Sequence, residues 1–211
     1  MKHTEQELMQ AVVQGNEDEA ARLVQELVTA GFDPLVIVND ALIPAMERVG
    51  VAFEDGEAFL PDILLAAQAM QGGMAILRPH IESHDSLSRG TVVIGTVRED
   101  QHDIGKNLVA VMLEGAGFTV IDLGCDVAPE RFIAEARRHR ADIIAMSALL
   151  NTTMRHMRAV IEQISGEGDL EDVKVLVGGA PVTEDYAAQI GAQGWAPDAV
   201  SAVRVATTLC R

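Results

Sequence analysis

Cysteine is scarce in this chain: there are two among 211 residues, Cys125 and Cys210, far apart and without a C-x-x-C partner. That pattern supports neither a disulfide framework nor a zinc finger, and Cys125, after Leu123 and Gly124, reads as a small core residue. Basic side chains are outnumbered, with 16 Lys and Arg against 32 Asp and Glu and a formal net charge of −16. A surface of that sign repels phosphate backbones, so nucleic acid is not an expected partner. No uninterrupted apolar run approaches the ~18 residues of a membrane helix. The start, Met1-Lys-His-Thr-Glu-Gln-Glu7, lacks the basic and then apolar layout of a signal peptide. A cytoplasmic protein with no membrane partner is expected. Aromatic residues are 3% of the chain while hydrophobic residues are 48%, so the core must be aliphatic and rich in alanine. Internal repeats and low-complexity segments are absent too.

What is present divides near residue 88. Before it the pattern is helical throughout, with amphipathic segments over Glu5–Gln14, Glu17–Ala30, Pro34–Val51 and Phe59–Leu77. Leu35, Val38, Leu42, Ala45 and Met46 recur at three- and four-residue spacing, as a buried helix face requires. Four helices with short connections predict a small bundle, domain 1–88. The polar stretch 81–90 is the expected linker. From residue 89 to 211 short β-rich runs alternate with helical ones. The runs are Thr91–Val97, Phe118–Leu123, Ala141–Ser147, Val173–Gly178 and a weak one at Gln193–Trp195. Helices are expected over Ile104–Gly115, Pro129–Arg140, Thr153–Ile164 and from Asp198 towards Thr208. Continuous apolar strands alternating with helices predict an α/β domain with a doubly wound, flavodoxin- or Rossmann-like five-stranded parallel sheet. Its ligands bind above the carboxyl ends of the strands.

Three loops meet at that edge. The first is Asp100-x-His102-x-x-Gly105, the second Ser147-Ala-Leu149-Leu-Asn-Thr-Thr153, and the third Gly178-Gly179-Ala-Pro181. A histidine after a strand suits a metal, and a carboxylate two residues earlier suits the far ring nitrogen, which needs a partner to set tautomer and basicity. The bland readings stand beside these. Asp100 could cap the helix beginning near Ile104, although Asp103 is the better candidate; Thr153 also suits an N-cap; Gly178-Gly179 could form a tight turn. Met46, Met70 and Met74 read as ordinary core. His80 and His84, at helical spacing but without further ligands, do not make a metal pair.

The combination of D-x-H-x-x-G, S-x-L and G-G resembles the cobalamin-binding domain of corrinoid-dependent methyltransferases, and the longer run His102-Asp-Ile-Gly-Lys-Asn107 resembles their methyl carriers. Met46-Glu-Arg-Val-Gly50, Phe53, Gly56-Glu-Ala-Phe59-Leu-Pro61, Ala66 and Met70 resemble the helical cap of those carriers. The resemblance spans residues 5 to 208. It implies cobalamin or a related corrinoid as cofactor, with its benzimidazole displaced and His102 as the lower cobalt ligand. Asp100 would bond His102, and Thr153 would extend that relay. Ser147 would bond the buried benzimidazole, Leu149 would line its slot, and Gly105, Gly178 and Gly179 would leave room for the nucleotide tail. Asp103 and Ile104 fall in the same cofactor-binding run. Two departures stand out: Glu99 where such proteins commonly have glycine, and Trp195 where they often have tyrosine.

The resemblance further implies a methyl carrier that completes no turnover alone. Its partners would be a substrate:corrinoid methyltransferase, a corrinoid:acceptor methyltransferase using tetrahydrofolate or a thiol, and a reductive activating protein. The cap would swing on the linker. A cobalamin-based sensor or regulator is the alternative, although no basic helix-turn-helix is visible, and a corrinoid storage protein is a further alternative.

Overall fold

The structure, a computed structural model, describes residues 2–80 and 88–210. Residues 81–87 of the expected linker, His84 among them, lie outside the described residues. The chain divides into two compact units, Met1–Ser88 with Glu114–Gly117, and Arg89–Leu113 with Phe118–Arg211.

The first unit is helical. α1 (Lys2–Val13) and α2 (Glu17–Thr29) are separated by Asn16, whose side chain accepts from Glu19 N–H and caps α2. Three acidic residues in the first turn of α2 complement the positive end of its dipole. Asp33 caps α3 (Pro34–Ile37) with Pro34 in the first turn. The helix expected to run unbroken from Pro34 is interrupted by a π turn, Val38–Leu42, before α4 (Ile43–Glu54). Pro44 is the cause: it has no N–H for the carbonyl one turn back, and its ring crowds that turn. The wider turn, with Ile43 N–H on Val38 O, relieves both. α5 (Leu60–Leu77) opens with Asp62 accepting from Phe59 N–H at 2.8 Å. By length and composition α5 could cross a membrane, although Asp62, Gln68 and Gln71 interrupt its apolar sequence. It is packed as a core helix: Ile63, Ala66, Ala67, Ala69, Met70, Gly73 and Leu77 are buried, and it lies against α1, α2 and α4.

The second unit is a five-stranded, all-parallel sheet in the order β2-β1-β3-β4-β5, formed by β1 (Thr91–Thr96), β2 (Thr119–Asp122), β3 (Ile143–Ser147), β4 (Lys174–Gly178) and β5 (Gly194–Ala196). Its helices are α6 (Ile104–Gly115), α7 (Pro129–His139), α8 (Arg155–Ile164), α9 (Glu184–Ile190) and α10 (Ala199–Leu209). α9 was not expected from the sequence; Thr183 caps it, accepting from Tyr186 N–H. β1, β3 and β4 are buried along nearly their whole length, which is why they read as continuous apolar runs rather than alternating ones. Val93, Ile144, Val175 and Val177 pack with Phe132 and Ala136 of α7 and Met157 and Val160 of α8 into one core. Strand order reverses between β1 and β3, the switch point where such sheets leave a crevice at their carboxyl ends.

Candidate functional site

The carboxyl ends of three strands stand in register. Thr96 pairs with Ser147, and Ser147 with Gly178. Val97 N–H donates to Ser147 O, and Ala148 N–H donates to Gly178 O. The three sequence loops therefore start from one row across the switch point.

The loop after β1 is held from several sides. Buried Thr96 donates its hydroxyl to His102 O at 3.0 Å. Asp126 N–H donates to Asp100 O at 3.0 Å, and Glu99 N–H donates to Asp126 Oδ1 at 2.7 Å. On the other flank Glu99 Oε2 accepts from Arg155 at 2.9 Å, with His156 Nε2 at 3.3 Å. These two contacts, His156 first, hold the Glu99 carboxyl below the usual carboxylate range.

Asp100 is completely buried. Burial alone raises a carboxyl pKa, but here hydrogen bonds outweigh it and hold the group well below the usual range. Oδ2 accepts from Thr153 Oγ1 at 2.7 Å, from Leu149 N–H at 2.8 Å and from Leu150 N–H at 3.3 Å. Oδ1 accepts from His102 N–H at 3.2 Å and lies 2.7 Å from His102 Nδ1. An ionised Asp100 is acceptor-only, so the ring proton belongs on Nδ1 and the lone pair on Nε2. The side chains differ sharply in exposure, 0% for Asp100 and 51% for His102. The pair thus has a dry end that sets the tautomer and a wet end that offers a nitrogen ligand.

The loops that carry the pair also expose apolar side chains. Ile104 is 77% exposed, Leu149 43% and Leu150 42%. A Cβ at Gly105 would meet nothing within 4 Å. Exposed aliphatics, open space at a glycine and an outward imidazole nitrogen together suit a broad, flat, metal-bearing macrocycle. Among the described residues no group of three or more His, Cys, Asp or Glu could hold a bare metal ion, so a corrinoid that arrives with its cobalt already coordinated fits this donor set.

The other sequence candidates sort by position. Thr153 joins Asp100, and its hydroxyl also lies 2.9 Å from Leu150 O. It is not a helix cap: α8 begins at Arg155, after Met154, without a side-chain cap. Ser147 lies partly buried at the strand end. Asp103 is partly buried, and its carbonyl accepts from Asn107 N–H in the first turn of α6. Gly178 and Gly179 answer first to the protein itself. A Cβ at Gly178 would lie 2.9 Å from Ala196 O, and one at Gly179, where φ is 122°, would lie 1.9 Å from Ala148 O. Trp195 donates its indole N–H to Val182 O at 2.9 Å, anchoring the loop after β4. Cys125 is not a core residue; it is partly exposed, with Sγ 3.7 Å from Gln101 O, because left-handed Gly124 and Asp126 turn the chain outward around it.

Several contributors escaped the sequence reading. Leu150 supplies both an N–H to Asp100 and exposed apolar surface. Lys106 is buried, with Nζ 2.6 Å from Asn107 Oδ1 and 2.5 Å from Asp122 Oδ2, tying α6 to the end of β2. Thr96 could have been noticed as a hydroxyl at the end of an apolar strand, the counterpart of Ser147 on β3.

Two family profiles, each described as a B12 binding domain, match residues 90–204 and 4–78. The chain belongs to the B12-binding corrinoid proteins. It is 44% identical over 206 residues to a corrinoid protein of Desulfitobacterium hafniense, covering 96% of this chain and 95% of that protein. It is 44% identical over 199 residues to trimethylamine corrinoid protein 1 of Methanosarcina acetivorans, covering 92% of each. The methanol:cobalamin methyltransferase complex of Methanosarcina barkeri contains a chain that matches with a TM-score of 0.87 at 29% identity, covering 99% of this chain and 80% of that one. This corrinoid protein therefore binds cobalamin or a close relative, and its kin serve methyltransferase systems.

Proposed function

We propose that the protein holds its corrinoid with the benzimidazole displaced and His102 Nε2 as the lower cobalt ligand, and shuttles a methyl group between two methyltransferases. One partner is a substrate:corrinoid methyltransferase. The other is a corrinoid:acceptor methyltransferase using tetrahydrofolate or a thiol, and a reductive activating protein is a third partner. The observation that carries this reading is the buried, multiply bonded Asp100 aimed at the inner nitrogen of an exposed His102.

When bound, the corrinoid supplies the metal that accepts and releases the methyl group. The chain supplies the rest. Asp100 holds the His102 ring in the tautomer with a free Nε2, and its negative charge stabilises the imidazolium if Nε2 takes a proton on leaving the metal. Thr153 has one hydroxyl proton and two acceptors, Asp100 Oδ2 and Leu150 O. It can turn from one to the other as the charge on the dyad changes. Ile104, Leu149 and Leu150 cover apolar ring surface, with Asp103 and Gly105 beside them. Ser147 bonds the displaced base, and Gly178 and Gly179 keep the loop after β4 low beneath the tail. The helical unit serves as the methyl-shielding cap, in the cytoplasm. The kinship with proteins named for trimethylamine and for a methanol complex supports a small methylated donor, chosen by the partner enzyme.

The test is spectroscopic. Purified protein loaded with hydroxocobalamin should show the absorption of a histidine-ligated, base-displaced corrinoid. The His102→Ala variant should still bind corrinoid but lose that spectrum. A variant with an unchanged spectrum would overturn the ligand assignment.

A further inference from the structure

Among the described residues three that are not glycine have positive φ: Glu99 at 66°, Asp126 at 53° and Arg140 at 50°. Arg140 is the C-cap of α7, where the left-handed conformation is common. Glu99 and Asp126 instead sit together, joined by the 2.7 Å bond from Glu99 N–H to Asp126 Oδ1, and both abut Asp100, one in sequence and one through its own N–H. Glycine adopts this backbone freely, whereas a side chain crowds the following carbonyl. The strained position carries a carboxylate that reaches the first turn of α8, to Arg155 and His156. Those residues follow Thr153 closely. Two parallel ties therefore connect the same pair of segments: buried Asp100 to Leu149, Leu150 and Thr153, and outer Glu99 to Arg155 and His156.

We propose that Glu99, with Arg155 and His156, is a positioning element that fixes the Asp100–His102 pair against the segment bearing Thr153; this rests on His102 being the corrinoid ligand. Arg155 and Glu99 are 69% and 55% exposed, and such a pair adds little to global stability. Its effect is geometric. Asp100 has the N–H groups on both flanks fixed only while the segments 97–103 and 149–156 keep their distance, and the outer tie holds that distance at the residue next to Asp100.

Glu99→Gly separates positioning from stability, since it removes the tie and the backbone strain at once. In the cofactor-free protein, the Leu149 and Leu150 amides, which donate to Asp100, should exchange with solvent about two- to fivefold faster in Glu99→Gly and in Arg155→Ala, with the melting temperature of Glu99→Gly not lowered. In the loaded protein, both variants should show a smaller histidine-ligated fraction, and Glu99→Gln, which keeps an acceptor oxygen, should largely restore both readouts. Unchanged exchange and spectra in Glu99→Gly would overturn the proposal, as would exchange accelerated evenly across the whole sheet. Loss of the histidine-ligated spectrum in His102→Ala, measured alongside, shows whether a failure belongs to the tie or to the ligand assignment.

Discussion

Thr153 and Asp100 lie 53 positions apart in the chain, yet the threonine hydroxyl donates to the carboxylate across 2.7 Å with both side chains buried. That contact joins the loops that follow β1 and β3. Replacing Thr153 by alanine removes one of three donors to Oδ2 and should cost about 1–3 kcal/mol of stability. Thr153→Ser should recover most of it. Chemical denaturation of the three proteins checks this, and equal stability of Ala and Ser variants would refute it.

Asp100→Asn is expected to be more severe. An amide cannot accept on both faces, so its NH2 must oppose either the loop amides or His102. With the amide oxygen facing Leu149, Leu150 and Thr153, the NH2 donates to His102 Nδ1 and forces the proton onto Nε2. The variant should bind corrinoid without histidine ligation, and 15N shifts of the ring should report the reversed tautomer.

Asp100 also governs acid stability. Its folded-state pKa lies below the unfolded value of ~3.9. The stability it contributes is thus complete above that value and is lost as pH falls towards the lower, folded pKa. Wild type should lose stability on going from pH 5 to about pH 2.5 more steeply than Asp100→Asn does, as urea midpoints at several pH values would show. Parallel profiles would mean that Asp100 is not held ionised.

Two glycine substitutions should part company. Gly179→Ala places a Cβ 1.9 Å from Ala148 O at a φ of 122° and should destabilise the apo protein by more than ~2 kcal/mol. Gly105→Ala meets open space in the first turn of α6 and should leave apo stability within ~1 kcal/mol, while weakening corrinoid binding. Thermal melts and corrinoid titrations would separate the two.

Much of this was legible because parallel strands buried on both faces announce themselves as apolar runs, and because the chemistry of Asp100, His102 and Thr153 uses side chains at strand ends. What was not legible has physical reasons. The donors from Leu149 and Leu150 to Asp100 are backbone groups, invisible in side-chain identity. The left-handed backbone of Glu99 is the reverse of what its residue type suggests. α9 is seven residues long, too short for a clear helical period, although Thr183 followed by Glu184 and Asp185 is a start signal. The π turn before Pro44 follows from a proline placed well inside the helical run that starts at Pro34. Cys125 was misplaced because its burial depends on two left-handed neighbours rather than on its own polarity.

The division of the Asp100–His102 pair into a dry end and a wet end has a kinetic consequence. On the proposed reading, the nitrogen that meets cobalt is selected before any cofactor arrives, so loading requires no proton shift within the ring. If His102 is the ligand, the slow event would be displacement of the corrinoid's own base, which the protein's preset tautomer does not assist. Corrinoids whose lower position is already vacant should load faster than cobalamin, and the gap between their rates would measure that displacement.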